Sequence, residues 1–227
     1  MFTLYIANKN YSSWSLRPWV LMRELGIPFK EELVPFDGAV NFDKFKKFAP
    51  NAKVPCLYDD GHVVWESLAI CEYLAESYTA VWPQEKSARS WARSAAAEMH
   101  ADFSSLRNVC GMSIGVRIDL HEIEQGLQKD IDRLNELWAE GLTKFKGPFL
   151  AGPEFTAVDA FFAPVAFRCQ TFSLPLVKEA QDYCDLLLSL PAMKKWQAEA
   201  LLETTRDMDH ENEIGSYGRV TEDFRQS

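Results

Sequence analysis

An α/β domain followed by an all-α domain is the fold predicted for this chain of 227 residues. Three observations carry the prediction. Within some 80 residues at the start, apolar runs and amphipathic runs alternate in the order β-α-β-α-β-β-α. Beyond residue 86 the apolar positions recur at spacings of three and four, the period of helices. Between them, the stretch from Thr79 to Lys86 contains Pro83 and few periodic positions. The expected boundaries are 1–80 for the first domain, 81–86 for a linker, 87–210 for the helical domain and 211–227 for an acidic tail. No internal repeat is present.

Each element has its own local reason. Phe2 to Ala7 is a short apolar run that reads as a buried strand, followed by a polar loop from Asn8 to Ser13. The segment from Trp14 to Leu25 reads as a helix with Leu16, Val20 and Leu21 on one face, and Gly26 supplies its stop. A second strand is expected over 28–34. Phe42, Phe45 and Phe48 then recur at three-residue spacing, which suggests a short α- or 3₁₀-helical segment over 41–48. Strands over 54–58 and 62–65 flank Asp60-Gly61, a strong hairpin signal. A helix over 66–77 completes this part.

In the second part, Asp119 and Glu122 have the spacing of a capping box. Leu120, Ile123, Leu127, Ile131, Leu134 and Trp138 follow at helical spacing. Another helix is expected to start within Phe155-Thr-Ala-Val-Asp159, with Thr156 as cap and the Asp159 side chain reaching back to the free N–H groups. Two more helices, over 176–189 and 191–203, are separated at Leu190-Pro191.

Composition narrows the function classes. A net charge of −9 argues against a nucleic-acid or anionic-membrane partner, which would want a basic face. The charge is uneven: residues 1–83 hold 8 basic and 10 acidic side chains, net −2, and residues 84–227 hold 16 and 23, net −7. The first part is therefore the one able to accept an anion locally. The 5 cysteines are odd in number and form no C-x-x-C pair, the pattern of reduced thiols in a cytoplasmic protein. The 4 histidines show no metal-ligand spacing. The opening apolar run is too short for a signal peptide, and no stretch approaches the roughly 20 apolar residues of a membrane span.

Three motifs point to a ligand. Val54-Pro55 is by default a proline at a strand entrance. With a cis bond it would instead turn the Val54 N–H and C=O outward to pair with an extended peptide. Glu66-Ser67 opens a helix. Ser67 can serve simply as a cap, or the free N–H groups, the helix dipole and the hydroxyl can hold a carboxylate while Glu66 takes an ammonium. The loop Tyr11-Ser12-Ser13-Trp14-Ser15-Leu16-Arg17 clusters serines before a helix. These can be caps, or Ser12 or Ser13 can donate to a thiolate held at the helix opening. A free thiol has a pKa of about 8.5, and a hydrogen bond to its anion lowers that.

In this order and with these gaps, the motifs resemble the cytosolic glutathione transferases, and the resemblance covers almost the whole chain. It implies a thioredoxin-like first domain and an all-α second one. It implies that Val54-Pro55 is the cis-proline motif pairing with the cysteinyl backbone of glutathione, and that Glu66 and Ser67 hold its γ-glutamyl end. Thr156 to Asp159 is similar to the capping motif of that family's helical domain. The loop resembles the serine-type members, above all the zeta class, in which Ser-Ser-Cys-Ser is followed by an arginine. Ser12, Ser13, Ser15 and Arg17 match, and Trp14 stands at the cysteine, which removes a redox role there.

By this resemblance Ser12 is the thiolate-activating hydroxyl, with Ser13 beside it to offer a backbone N–H. Lys53 is placed to reach the glycine carboxylate. The implied activity is glutathione transfer to an electrophilic small molecule, by a cytoplasmic homodimer that needs no metal. The alternatives are glutathione-dependent isomerisation of a maleylacetoacetate-like diacid and a non-catalytic binding or regulatory role. The zeta-class isomerases hold their substrate with an arginine of the helical domain; Thr171 aligns with it, and Arg168 lies about one turn away. His100, Arg107 and Arg117 are helix-face or surface residues by default and could line a second-substrate pocket. Tyr5 reads as a strand residue and Cys56 as a buried thiol.

Overall fold

The computed structural model describes residues 1–226, the Ala39 side chain aside. Strand β1 (Phe2–Ile6) leads through helix α1 (Ser13–Glu24) to β2 (Phe29–Leu33), which lies parallel to it. Helix α2 (Asn41–Lys46) follows, then the antiparallel strands β3 (Cys56–Asp59) and β4 (His62–Trp65), and helix α3 (Ser67–Ala75). The sheet order is β2-β1-β3-β4, with β3 antiparallel to β1. This is a thioredoxin-like domain with a mixed sheet.

Local chemistry fixes several of its joints. Gly26 takes φ +65°, the left-handed region that ends a helix cheaply only for glycine. Ile27 N–H then reaches Met22 O at 2.8 Å and Gly26 N–H reaches Arg23 O at 3.2 Å, the paired bonds of a Schellman ending. Asp60 and Gly61 take φ 43° and 89°, both positive, as a two-residue hairpin turn requires.

The second part is helical: α4 (Lys86–Ala101), α5 (Ser104–Val109), α6 (Gln125–Phe145), α7 (Ala157–Phe172), α8 (Lys178–Ser189), α9 (Pro191–Leu202) and α10 (Met208–Tyr217). Helix α7 is apolar on all sides and buried along almost its whole length, so it forms the axis of the domain. The Asp159 carboxylate at its start accepts the N–H of Thr156 at 2.9 Å and of Leu150 at 3.0 Å, and the Tyr183 hydroxyl at 2.9 Å. One apolar core runs through both parts, from Leu4 and Trp19 beneath the sheet to Trp138 and Phe162 among the helices.

Two expectations need correction. The helix foreseen from Asp119 is a strand there: β5 (Val116–Leu120) pairs antiparallel with β6 (Gly218–Asp223). Val116 and Ile118 are buried while Arg117 and Asp119, each following one of them, are less so, a period of two that overrides the Asp119–Glu122 capping pattern. The helix begins at Gln125 instead. Leu127, Ile131, Leu134 and Trp138 are buried on it, whereas Ile123 lies outside it at 40% exposure. The second part is therefore helical with a small two-stranded sheet. The segment expected as an acidic tail over 211–227 is also ordered through α10 and β6; its last residue, Ser227, lies outside the described residues.

Candidate active site

The loop between β1 and α1 is pinned by its own backbone. Tyr11 and Ser12 N–H groups donate to Asn8 O at 3.2 and 2.8 Å, and Asn8 Oδ1 accepts the Phe36 N–H at 2.7 Å. This sets Ser12 as the residue capping α1, yet its side chain makes no capping bond. Its hydroxyl oxygen sits 2.7 Å from that of Ser15, which is fully buried. The Ser13 Oγ accepts from Arg168 Nη2 at 3.3 Å.

Both serines line a cleft of about 480 Å³ between the two parts of the molecule. Lys53 and Val54 form its opposite wall, and Arg107, Arg168 and α10 contribute its helical side. The Val54-Pro55 peptide bond is cis. Neither the N–H nor the C=O of Val54 has a hydrogen-bond partner among the described residues. A smaller recess of about 230 Å³, sharing Trp14, Lys53 and Val54 with the first, is closed by Asn51, Pro55 and Glu66. The two meet at these shared residues and form one groove.

Glu66 takes φ +69° and ψ 130°, a sparsely populated conformation for a residue with a Cβ. Such strain costs on the order of 1–3 kcal/mol and collects at functional sites. Here it turns the Glu66 carboxylate out to the recess, where Oε1 accepts from Asn51 Nδ2 at 3.1 Å. The same turn sends Ser67 inward. Ser67 is fully buried, lines neither cleft, and its Oγ accepts from Arg17 Nη1 at 3.4 Å. Of the expected anchoring pair, the structure therefore brings only the Glu66 side chain to the wall.

Arg17 is an unusual residue. It is buried, with its guanidinium 4.2 Å from the Trp14 ring centre and 4.6 Å from that of Phe161. Burial, and then the nearby Arg168 and Arg107, lower its pKa to about 9, which still leaves it charged at neutral pH. Arg168 is likewise lowered to about 10, chiefly by burial. It donates to the carbonyls of Arg107 and Cys110. Among the described residues, no carboxylate hydrogen-bonds to Arg17, Arg107 or Arg168. The groove is therefore locally positive inside an acidic protein, with Glu213 as the acid in the wall of the larger cleft.

The remaining candidates separate cleanly. Arg107 lines the cleft, but His100 and Arg117 do not. His100 lies edge-on to Trp14, its ring centre 5.2 Å away, and Arg117 bonds Val116 O at 2.8 Å beside Phe224. Thr171 is buried with its hydroxyl on Ser113 O at 2.8 Å, while Arg168 faces the cleft. Tyr5 stacks on Phe48 with ring centres 4.5 Å apart and lines neither cleft. The Tyr11 hydroxyl, at the cleft edge, is committed to Glu211 at 2.5 Å; burial and that bond push its pKa well up. Every cysteine is free and buried, and burial lifts Cys56 to about 11. No cluster of three metal-ligating side chains occurs among the described residues. No helix is long and apolar enough to cross a membrane.

Several wall residues are not singled out by the sequence: Phe36 in the loop after β2, Met112 in the loop after α5, and His210 and Glu213 on α10. His210 follows the cap of α10, and an Asp-x-x-His spacing could have marked it.

Comparison with known proteins places the fold in a family. Residues 11–77 match the family profile described as glutathione S-transferase, N-terminal domain, and residues 116–196 match the glutathione S-transferase C-terminal domain. Glutathione S-transferase GstB of Escherichia coli K12 is 30% identical over 210 residues, 86% of this chain and 97% of the relative. A probable maleylacetoacetate isomerase of Caenorhabditis elegans is 26% identical over 182 residues, 76% of this chain and 81% of the relative. Among solved structures, the theta class glutathione S-transferase of Xanthomonas axonopodis pv. citri, with glutathione bound, superposes with a TM-score of 0.64 at 21% identity, covering 90% of this chain and 99% of the other. At that identity the likeness concerns the fold.

Proposed function

The chain belongs to the glutathione S-transferase family, and from that premise we propose that it binds glutathione in the groove, ionises the thiol and directs the thiolate at an electrophile. One observation carries the reading: the uncommitted main-chain groups of Val54 face the same cleft as the Ser12 hydroxyl, which is free of capping duty. An extended peptide pairs with Val54 as a strand would. That sets its central cysteine beside the opening of α1, where N–H groups and the helix dipole favour an anion.

In this reading the Ser12 hydroxyl, which donates to the buried Ser15 hydroxyl at 2.7 Å, turns its proton to the sulfur when the ligand binds. Ser13 and Arg168 add a polarised hydroxyl and a positive charge beside it. Cis-Pro55 shapes the turn that presents Val54 to the peptide. Glu66 takes the γ-glutamyl ammonium, and the main-chain N–H groups at the opening of α3, rather than the buried Ser67 hydroxyl, draw its carboxylate. Lys53 meets the glycine carboxylate. The electrophile occupies the larger cleft against α5, α7 and α10. The domain division at 81–86, the homodimer and a cytoplasmic location belong to the same proposal, supported by family membership.

A second reading is favoured by one observation. Arg107 and Arg168 line the cleft without carboxylate partners, so a diacid would find two cations there. With relatives named as maleylacetoacetate isomerases, this supports glutathione-dependent cis–trans isomerisation as the alternative. A non-catalytic role is disfavoured by the strained Glu66 and the open Val54 groups.

The test is to supply glutathione with 1-chloro-2,4-dinitrobenzene, and separately with maleylacetone. Release of chloride with consumption of glutathione is expected. Isomerisation of maleylacetone without conjugation would select the second reading. Absence of glutathione binding would remove both.

A further inference from the structure

The cleft contains a histidine that the thiolate chemistry does not use. His210 lines it from α10, with its ring between Tyr11, whose ring centre is 5.1 Å away, and Phe36, at 5.0 Å. The Tyr11 ring stacks on the imidazole at 22° and the Phe36 ring meets it tilted at 33°, so two aromatic contacts restrain it. Its Nδ1 lies 2.5 Å from Oδ2 of Asp207, a residue only 3% exposed. Asp207 also caps α10 through the His210 N–H at 3.3 Å and holds Gly38 N–H at 3.4 Å. Burial works against its charge, but the bonds from His210 and Gly38 outweigh burial and keep the carboxyl below its usual range. The other ring nitrogen, Nε2, makes no hydrogen bond among the described residues and is not sealed from solvent.

This is the arrangement that turns a histidine into a proton-transfer group. A carboxylate on Nδ1–H fixes the tautomer and stabilises the imidazolium, leaving Nε2 to exchange a proton with whatever occupies the cleft. A transferase needs such a group only for some electrophiles. When a thiolate displaces halide from an aryl ring, the halide leaves with its electron pair and no proton is required. When it adds to an α,β-unsaturated carbonyl compound, the S–C bond forms at the β-carbon and the C=C π pair moves to give an enolate, which must be protonated.

We propose that His210, oriented by Asp207, is the general acid of this site, called on when the electrophile is an α,β-unsaturated carbonyl compound. His210 Nε2–H passes its proton to the enolate, and the neutral imidazole regains one from solvent, which received the proton lost by the glutathione thiol. Atoms and charge balance as glutathione plus enone gives one adduct. The proposal rests on the thiolate reading above.

The experiment compares wild type with His210→Asn, whose amide can keep the bond to Asp207, using trans-4-phenyl-3-buten-2-one and 1-chloro-2,4-dinitrobenzene as probes. The ratio of kcat for the enone to kcat for the aryl halide is expected to fall by about a hundredfold, the usual order for loss of a general acid. Asp207→Asn is expected to lower the same ratio by a smaller factor. An unchanged ratio in His210→Asn, with both rates falling together, would mean that the histidine only secures α10, and would overturn the proposal while leaving the transferase reading intact. Failure of wild type to conjugate either probe would overturn both.

Discussion

Arg168 Nη2 donates to Ser13 Oγ at 3.3 Å, across the boundary between the helical domain and the thioredoxin-like one. A fully enclosed helix of one domain thus sets a cation against the active-site loop of the other. The Ser13 hydroxyl, accepting from a guanidinium, has its own proton left to donate. The arginine also carries the carbonyls of Arg107 and Cys110, so one side chain couples the α5 region, α7 and the loop.

Replacing Arg168 by Met should raise the pKa of bound glutathione by about one pH unit, or about 1.4 kcal/mol. Arg168→Lys should restore part of that through its charge. Both should lower stability, because two buried carbonyls lose a donor, at about 1–3 kcal/mol each. Spectroscopic titration of the bound thiol and denaturant unfolding separate the two effects.

Glu66→Gln removes the carboxylate from the recess but keeps an oxygen for Asn51. Loss of a charged hydrogen bond, roughly 1.5–3 kcal/mol, should weaken glutathione binding by about ten- to a hundredfold with little change in kcat. A control ligand without the γ-glutamyl ammonium should bind wild type and variant alike in calorimetry.

Asp159 holds the start of α7 through three donors, so Asp159→Ala should destabilise the protein by about 3–5 kcal/mol. Its burial outweighs those donors and lifts the carboxyl to about 6. That is above the roughly 3.9 of an unfolded chain, so folding takes up a proton between the two values. The stability this group contributes is complete below about pH 4 and is lost as pH rises through about 6. Unfolding free energy measured across pH 4–7 should decline in wild type relative to Asp159→Asn.

What the sequence disclosed and what it hid follow from range. Gly26, Asp60-Gly61 and the Thr156–Asp159 box act within a few residues and each admits one backbone conformation. The site motifs share this property: Ser12, Val54 and Glu66 sit at element ends whose geometry is local. Strand β5 could not be read the same way, since its partner β6 lies about a hundred residues on, and a capping pattern at Asp119 competed with the alternation of Val116 and Ile118. Ser67 resembles an anchor in sequence, yet the positive φ of Glu66 turns it inward, and no side-chain pattern reports φ. Arg168 and His210 reach the cleft through the packing of α7 and α10 against the first domain, a long-range arrangement that left the second-substrate wall the least legible part.

The central claim is that this groove holds glutathione as a thiolate through Ser12. Its most direct test is a titration of glutathione into wild type and Ser12→Ala, following the ultraviolet absorbance of the bound thiolate against pH. Wild type should show thiolate at neutral pH, its pKa about two units below that of the free thiol, or roughly 2.7 kcal/mol in favour of the anion. Ser12→Ala should bind glutathione but return the pKa most of the way to its solution value. A wild type without thiolate at neutral pH, or a Ser12→Ala variant with an unchanged signal, would contradict the account.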